Sequence, residues 1–142
     1  MKRYLSVKNN FLCLFLVLLS VALPSLAAET IVASHLLDGK SYVGQNGSKG
    51  MPAHHPDELI FANGQFHSTS CDPYGFGTGT YKTELSGGNV IFEAITQSPT
   101  HGQISWRGVV TGDTLDATMI WTKERWYWYT RNEYWFKGKL KQ

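Results

Sequence analysis

The residues of this chain that could do covalent or coordination chemistry are few and poorly spaced for it. Cys71 lies in His67-Ser-Thr-Ser-Cys71-Asp-Pro-Tyr-Gly-Phe76, and a thiol becomes a nucleophile only where a base or cation lowers its pKa. His67 is the nearest base, but four residues along a strand span about 13 Å, too far for contact. The ordinary role for Cys71 is a small hydrophobe buried at a strand end, with intermolecular disulfide pairing as the alternative in an oxidising compartment. His54-His55, with Asp57 close by, invites a metal. Adjacent residues of an extended loop are expected to point apart, and metal sites use wider spacings with three or four ligands, so the pair reads as part of a solvated loop. His35 and His101 lie in separate segments. Haem ligation by a histidine or by Tyr74 is chemically allowed and has no supporting pattern. Gly75-Phe-Gly-Thr-Gly79 is rich in glycine like a phosphate cradle, yet no helix follows to receive an anion. With no paired carboxylates and no catalytic triad legible, the expectation is a protein that is not an enzyme and uses no cofactor or metal.

These side chains must be carried by strands. Alternating apolar and polar residues mark strands at 36–42, 57–61, 65–71, 77–85, 89–97, 103–111, 114–122 and 133–140, the two-residue period of half-buried sheet. Asn63-Gly64, Gly87-Gly88 and Gly112-Asp113 stand between them as hairpin turns. Residues 44–56, polar and glycine-rich, are expected to form the longest loop. Residues 123–131 are aromatic on both strand faces and show no period; an extended strand, a lid across the sheet and a short helical turn all remain open. Sequential hairpin-linked strands without helices predict an all-β, antiparallel up-and-down meander. Closure into a small, roughly eight-stranded barrel would leave no exposed edge. Gly79, Gly108 and Gly138, inside strands, fit the sharp coiling that a barrel requires.

The N-terminus has the layout of a secretory signal peptide: Lys2, Arg3 and Lys8, an apolar stretch over 11–22, Pro24, and Ser25-Leu26-Ala27. Residues 1–27 are therefore expected to be removed, leaving 28–142 as one domain in a secreted or periplasmic location. Three of the 13 basic residues and none of the 11 acids fall in 1–27, so the remainder carries 10 basic and 11 acidic residues, net −1. Nothing in that balance points to nucleic acid or to an anionic membrane, and no membrane span is expected after the signal. Cys71 is the one cysteine left, so no internal disulfide can form and the core must hold the domain, with 16 aromatics to build it.

The short strand Leu37-Asp-Gly-Lys-Ser-Tyr42, the hairpins and the closing Tyr134-Trp-Phe-Lys-Gly-Lys-Leu140 resemble the compact lipocalin-like, or calycin, barrels of small exported bacterial proteins. Gly79-Thr-Tyr81 and the strand tryptophans are similar, more loosely, to avidin-type barrels. The resemblance implies a cup-shaped fold that holds a small apolar molecule. If Phe66, Phe92, Trp106 and Trp121 face inward, alternation brings Ser68, Ser70 and Thr96 in beside them. Aromatic walls with a few hydroxyls suit a ligand pocket, and equally a filled barrel whose hydroxyls bond to backbone. The first expectation is a non-catalytic barrel binding a small, largely apolar ligand through these seven residues. The alternative is a periplasmic interaction or inhibitor protein with a solid core and an aromatic surface at 126–135, where Trp126, Trp128 and Tyr129 would contact a protein partner.

Overall fold

The structure, a computed structural model, describes residues 31, 32 and 34–142; the expected signal peptide, 1–27, lies outside the described residues. Nine strands form among them: β1 (Ile31–Val32), β2 (Lys40–Ser48), β3 (His55–Ala62), β4 (Gln65–Ser68), β5 (Gly79–Ser86), β6 (Asn89–Ser98), β7 (Gly102–Thr111), β8 (Thr114–Arg125) and β9 (Trp128–Leu140). From β2 onward each strand pairs antiparallel with the next, and β9 returns to β2 from Tyr42↔Leu140 to Ser48↔Tyr134. The result is an eight-stranded up-and-down barrel, as the alternation predicts. β1 lies outside this circuit and pairs with β5 at Ile31↔Leu85 and Val32↔Glu84. No helix among the described residues is long and apolar enough to cross a membrane.

Several expected boundaries move. The loop expected over 44–56 shrinks to 49–54, since 44–48 belong to β2 and 55–56 to β3; Gly44 sits within β2, where a Cβ would lie 2.0 Å from the Lys137 carbonyl oxygen. A residue with a side chain could not approach β9 so closely, and what reads as a loop-forming glycine is a pairing one. The strand expected over 65–71 stops at Ser68 and becomes a 3-10 helix, Thr69–Tyr74, because the Asp57 carboxylate draws Ser68, Thr69 and Ser70 round itself. The strand expected over 36–42 begins only at Lys40. Residues 123–131 belong to a long hairpin that runs from β8 into β9 and turns at Trp126-Tyr127.

The barrel has two unlike ends. At one end lie the tight turns, including Asn63-Gly64 with φ of 53° and 71°, the left-handed pair that a two-residue hairpin requires. Residues 34–39 plug this end: Leu37 is fully buried, the Gly39 N–H donates to the Phe61 carbonyl at 2.8 Å, and the Asp38 carboxylate accepts the Gly64 N–H at 2.9 Å and the Tyr81 hydroxyl at 2.7 Å. Above the plug, Phe61, Phe66, Phe92, Tyr81 and Trp106 pack ring on ring with centroids 4.8 to 5.4 Å apart. Gly108 makes this possible, since a Cβ there would sit 2.3 Å from the Phe92 ring. This half of the barrel is solid.

The plug gives stability a pH profile. The Gly64 N–H, then the Tyr81 hydroxyl, hold the Asp38 carboxyl below its ordinary value, while burial, then the bond to Asp38, pushes the Tyr81 phenol up. A lowered carboxylate contributes stability that is fully present above its unfolded pKa of about 4 and is lost as pH falls through the folded one. A raised phenol contributes stability that is present below about pH 10 and lost as the unfolded tyrosine ionises above it. Urea midpoints measured from pH 2 to 11 are expected to fall at both extremes. Asp38→Asn should flatten the acid limb and Tyr81→Phe the alkaline one; unchanged limbs in both variants would refute this account.

Candidate functional site

The other end of the barrel is open and holds a cavity of about 700 Å³. Its deeper wall comes from inward positions of the long strands: Ile104 on β7, Met119 and Trp121 on β8, and Tyr134 on β9. Phe76 and Cys71 close one side from the segment that leaves β4. Around the mouth stand Asn46, His54, His55, Ser70, Tyr74 and His101. An apolar wall below a polar rim is the make-up of a small-molecule site, and the volume falls within the roughly 300–1,000 Å³ such pockets occupy.

Register explains the division between core and cavity. Trp106 pairs with Met119 and Ile104 pairs with Trp121, so Trp106 lies one inward step deeper than Trp121. The deeper ring reaches the packed half, where its Nε1 donates to Thr96 Oγ1 at 3.0 Å. The shallower one forms the wall, and its Nε1 donates to the His101 carbonyl at 2.6 Å. That bond ties the β6–β7 turn to the rim.

Of the seven residues expected to bind ligand, Ser70 and Trp121 line the cavity. Phe66, Phe92 and Trp106 are in the solid half, at most 2% exposed. Thr96 is occupied by Trp106, and Ser68 donates to Asp57 at 2.8 Å. The cavity takes Ile104, Met119, Tyr134, Phe76 and the rim histidines instead. Parity along the strands marks Ile104 and Met119 as inward, but it is silent on depth, and no signal in the chain brings 54–55, 74–76 and 101 to one mouth.

The 3-10 helix is held by a buried carboxylate. Asp57, 4% exposed, accepts from Ser68 Oγ at 2.8 Å, from the Ser70 N–H at 2.9 Å, and more distantly from Thr69 Oγ1 and Asn46 Nδ2. Asn46 Nδ2 also donates to Ser70 Oγ at 3.0 Å, so the network ends on two rim residues. It fixes the side of the mouth that Cys71 faces.

Cys71 is a poor nucleophile here. Burial pushes its thiol up, the Asp57 charge pushes it further, and the Ser68 hydroxyl bond at 3.3 Å only partly opposes them. His67 turns to the Asp72 carboxylate at 3.0 Å. The other histidines correct the sequence expectation: His54 and His55 do not point apart. The chain bends at Met51, the His54 N–H bonds to the Asn46 carbonyl at 2.8 Å, and the two rings meet with Nδ1 of His54 2.5 Å from Nε2 of His55. One nitrogen donates and the other accepts. Among the described residues, no three histidine, cysteine or acidic side chains converge as a metal site.

The residues expected to contact a partner are at the surface beyond this mouth, with Trp126 94%, Trp128 50% and Tyr129 57% exposed. No protein-family model matches the chain, and searches of curated proteins and of solved structures likewise found no match.

Proposed function

We propose that this protein is a lipocalin-like, non-catalytic carrier that holds one small, largely apolar ligand in the open half of its barrel. The observation that supports this most directly is the cavity itself: about 700 Å³, walled by Ile104, Met119, Trp121 and Tyr134 and rimmed by histidines, Asn46 and Ser70. Such a site buries an apolar body and leaves the rim to orient one polar end. The solid half beneath it acts as a floor, so a ligand enters and leaves by the mouth. The half-buried Cys71 thiol, pushed up by burial and by the Asp57 charge, favours binding over covalent chemistry. Export through the N-terminal signal is part of the same proposal.

Titration with an apolar fluorescent probe and a series of fatty acids and other small amphiphiles tests it. The folded protein is expected to bind at one site, and Ile104→Trp, which extends a ring into the cavity, should weaken binding about tenfold or more, roughly 1.4 kcal/mol, with its thermal transition kept. Absence of any saturable binding, or equal affinity in a folded Ile104→Trp variant, would discard the carrier reading.

A further inference from the structure

The last pairs that β8 and β9 share with neighbouring strands are Gln103↔Thr122 on one side and Ser48↔Tyr134 on the other. Beyond them the two strands continue alone through Lys123↔Thr130, Glu124↔Tyr129 and Arg125↔Trp128. A bare two-stranded ribbon thus projects from the open end, beside the cavity mouth. Such ribbons are marginal in water, and this one ends in four consecutive aromatics.

Trp126, Tyr127, Trp128 and Tyr129 are 94%, 52%, 50% and 57% exposed. Among the contacts seen, these rings meet one another, with Trp126–Tyr127 at 4.8 Å and Tyr127–Trp128 at 4.3 Å, and the Arg125 guanidinium lies 5.0 Å from the Trp128 centroid. All four are Trp or Tyr, rings with a polar handle, the residue types that settle at the headgroup level of a bilayer. Charge points the same way. Residues 123–131 hold Lys123, Arg125 and Arg131 against Glu124, net +2 in a chain whose total beyond residue 27 is −1, and Arg131 also lies 4.0 Å from the Glu133 carboxylate, itself bonded by Lys49. The Lys123 ammonium bonds to the Thr100 carbonyl at 2.5 Å, which fixes that cation at the base of the ribbon with donors to spare. An exposed aromatic tip above a cationic base complements an anionic lipid surface.

We propose that the β8–β9 hairpin is a membrane-docking device: Trp126 and Tyr127 enter the headgroup layer of an anionic bilayer, Lys123, Arg125 and Arg131 engage its phosphates, and the cavity mouth is brought to the lipid surface. This stands on the hairpin alone and survives if the cavity proves to bind nothing.

The chain from Ala28 onward contains every described strand and avoids the apolar stretch 11–22, which could bind lipid by itself. It is sedimented with vesicles of phosphatidylcholine, alone or with 30% phosphatidylglycerol. Binding is expected to the anionic vesicles, with tryptophan emission shifted to the blue and quenched by brominated acyl chains. Trp126→Ser with Tyr127→Ser should weaken it at least tenfold. Lys123→Ala with Arg125→Ala should weaken it roughly tenfold on anionic vesicles, and salt should do the same to the native chain. Melting temperature checks that each variant is folded, and quenching of the native chain needs no variant. No binding to anionic vesicles, binding without quenching, or native-like binding by the folded aromatic variant would overturn the proposal. So would capture of a protein partner through the hairpin by a chain that ignores vesicles.

Discussion

Phe66→Ala is expected to lower folding stability by about 3–5 kcal/mol, the range for deleting a fully buried aromatic. Phe66 is wholly buried and its ring lies 5.2 Å from Phe61, 5.4 Å from Phe92 and 4.8 Å from Trp106. These neighbours come from β3, β6 and β7, so the ring joins strands far apart in the chain. They cannot collapse into the gap, because each is fixed by its own strand and the Trp106 indole is held by Thr96. The cost should approach the upper part of the range and take a large share of the 5–15 kcal/mol typical of a domain. Urea unfolding followed by fluorescence measures it, and Phe66→Leu should recover most of the loss. A penalty below about 1 kcal/mol would mean that open space extends down to Phe66 and that the barrel is not solid there.

Asp57→Ala is expected to cost about 3 kcal/mol by a different route. Hydrogen bonds to a charged group contribute roughly 1.5–3 kcal/mol each, and two short ones, from Ser68 and Ser70, end on this carboxylate. Without it the Ser70 N–H loses its acceptor, and the Ser68 hydroxyl keeps only longer partners, Ser70 Oγ at 3.4 Å and Cys71 Sγ at 3.3 Å. Water from the adjacent cavity offsets part of the loss, which keeps it below the sum of the two bonds. Asp57→Asn should be little better, because its amide turns an N–H₂ toward groups that already donate. Because the network ends on Asn46 and Ser70 at the mouth, both variants should also weaken any cavity ligand, whereas Phe66→Leu should not. Stability and probe affinity measured on the same samples separate these effects. If Asp57→Asn matched the native protein in both, the carboxylate would have no part in shaping the rim.

The two predictions mark a boundary in what could be read from the chain. Phe66 and Ser68 are inward by alternation, and the meander follows from the turns at Asn63-Gly64 and Gly112-Asp113. Asp57, by contrast, looks like one more polar residue near a loop. Its role depends on Ser68 to Ser70 curling back over β3, which no local pattern announces. His54 and His55 fail in the same way, because the bend that turns their rings together depends on a bond from His54 to Asn46 across β2 and β3. Residues 123–131 defeated periodicity for a physical reason: a ribbon exposed on both faces has no buried side to impose one.

Class and parity are legible in the order of the residues: antiparallel strands in chain order, closed into a barrel, with Trp106 and Trp121 on the same inward face. Parity is a local property, since side chains alternate with every residue of a strand. The depth at which each inward side chain lies is not local. Depth depends on the stagger between strands, on the plug at 34–39 and on the 3-10 helix at the other end. All three are set by contacts between segments distant in the chain. That stagger is why Trp106 is core while Trp121, one inward step away, is the wall of an open cavity.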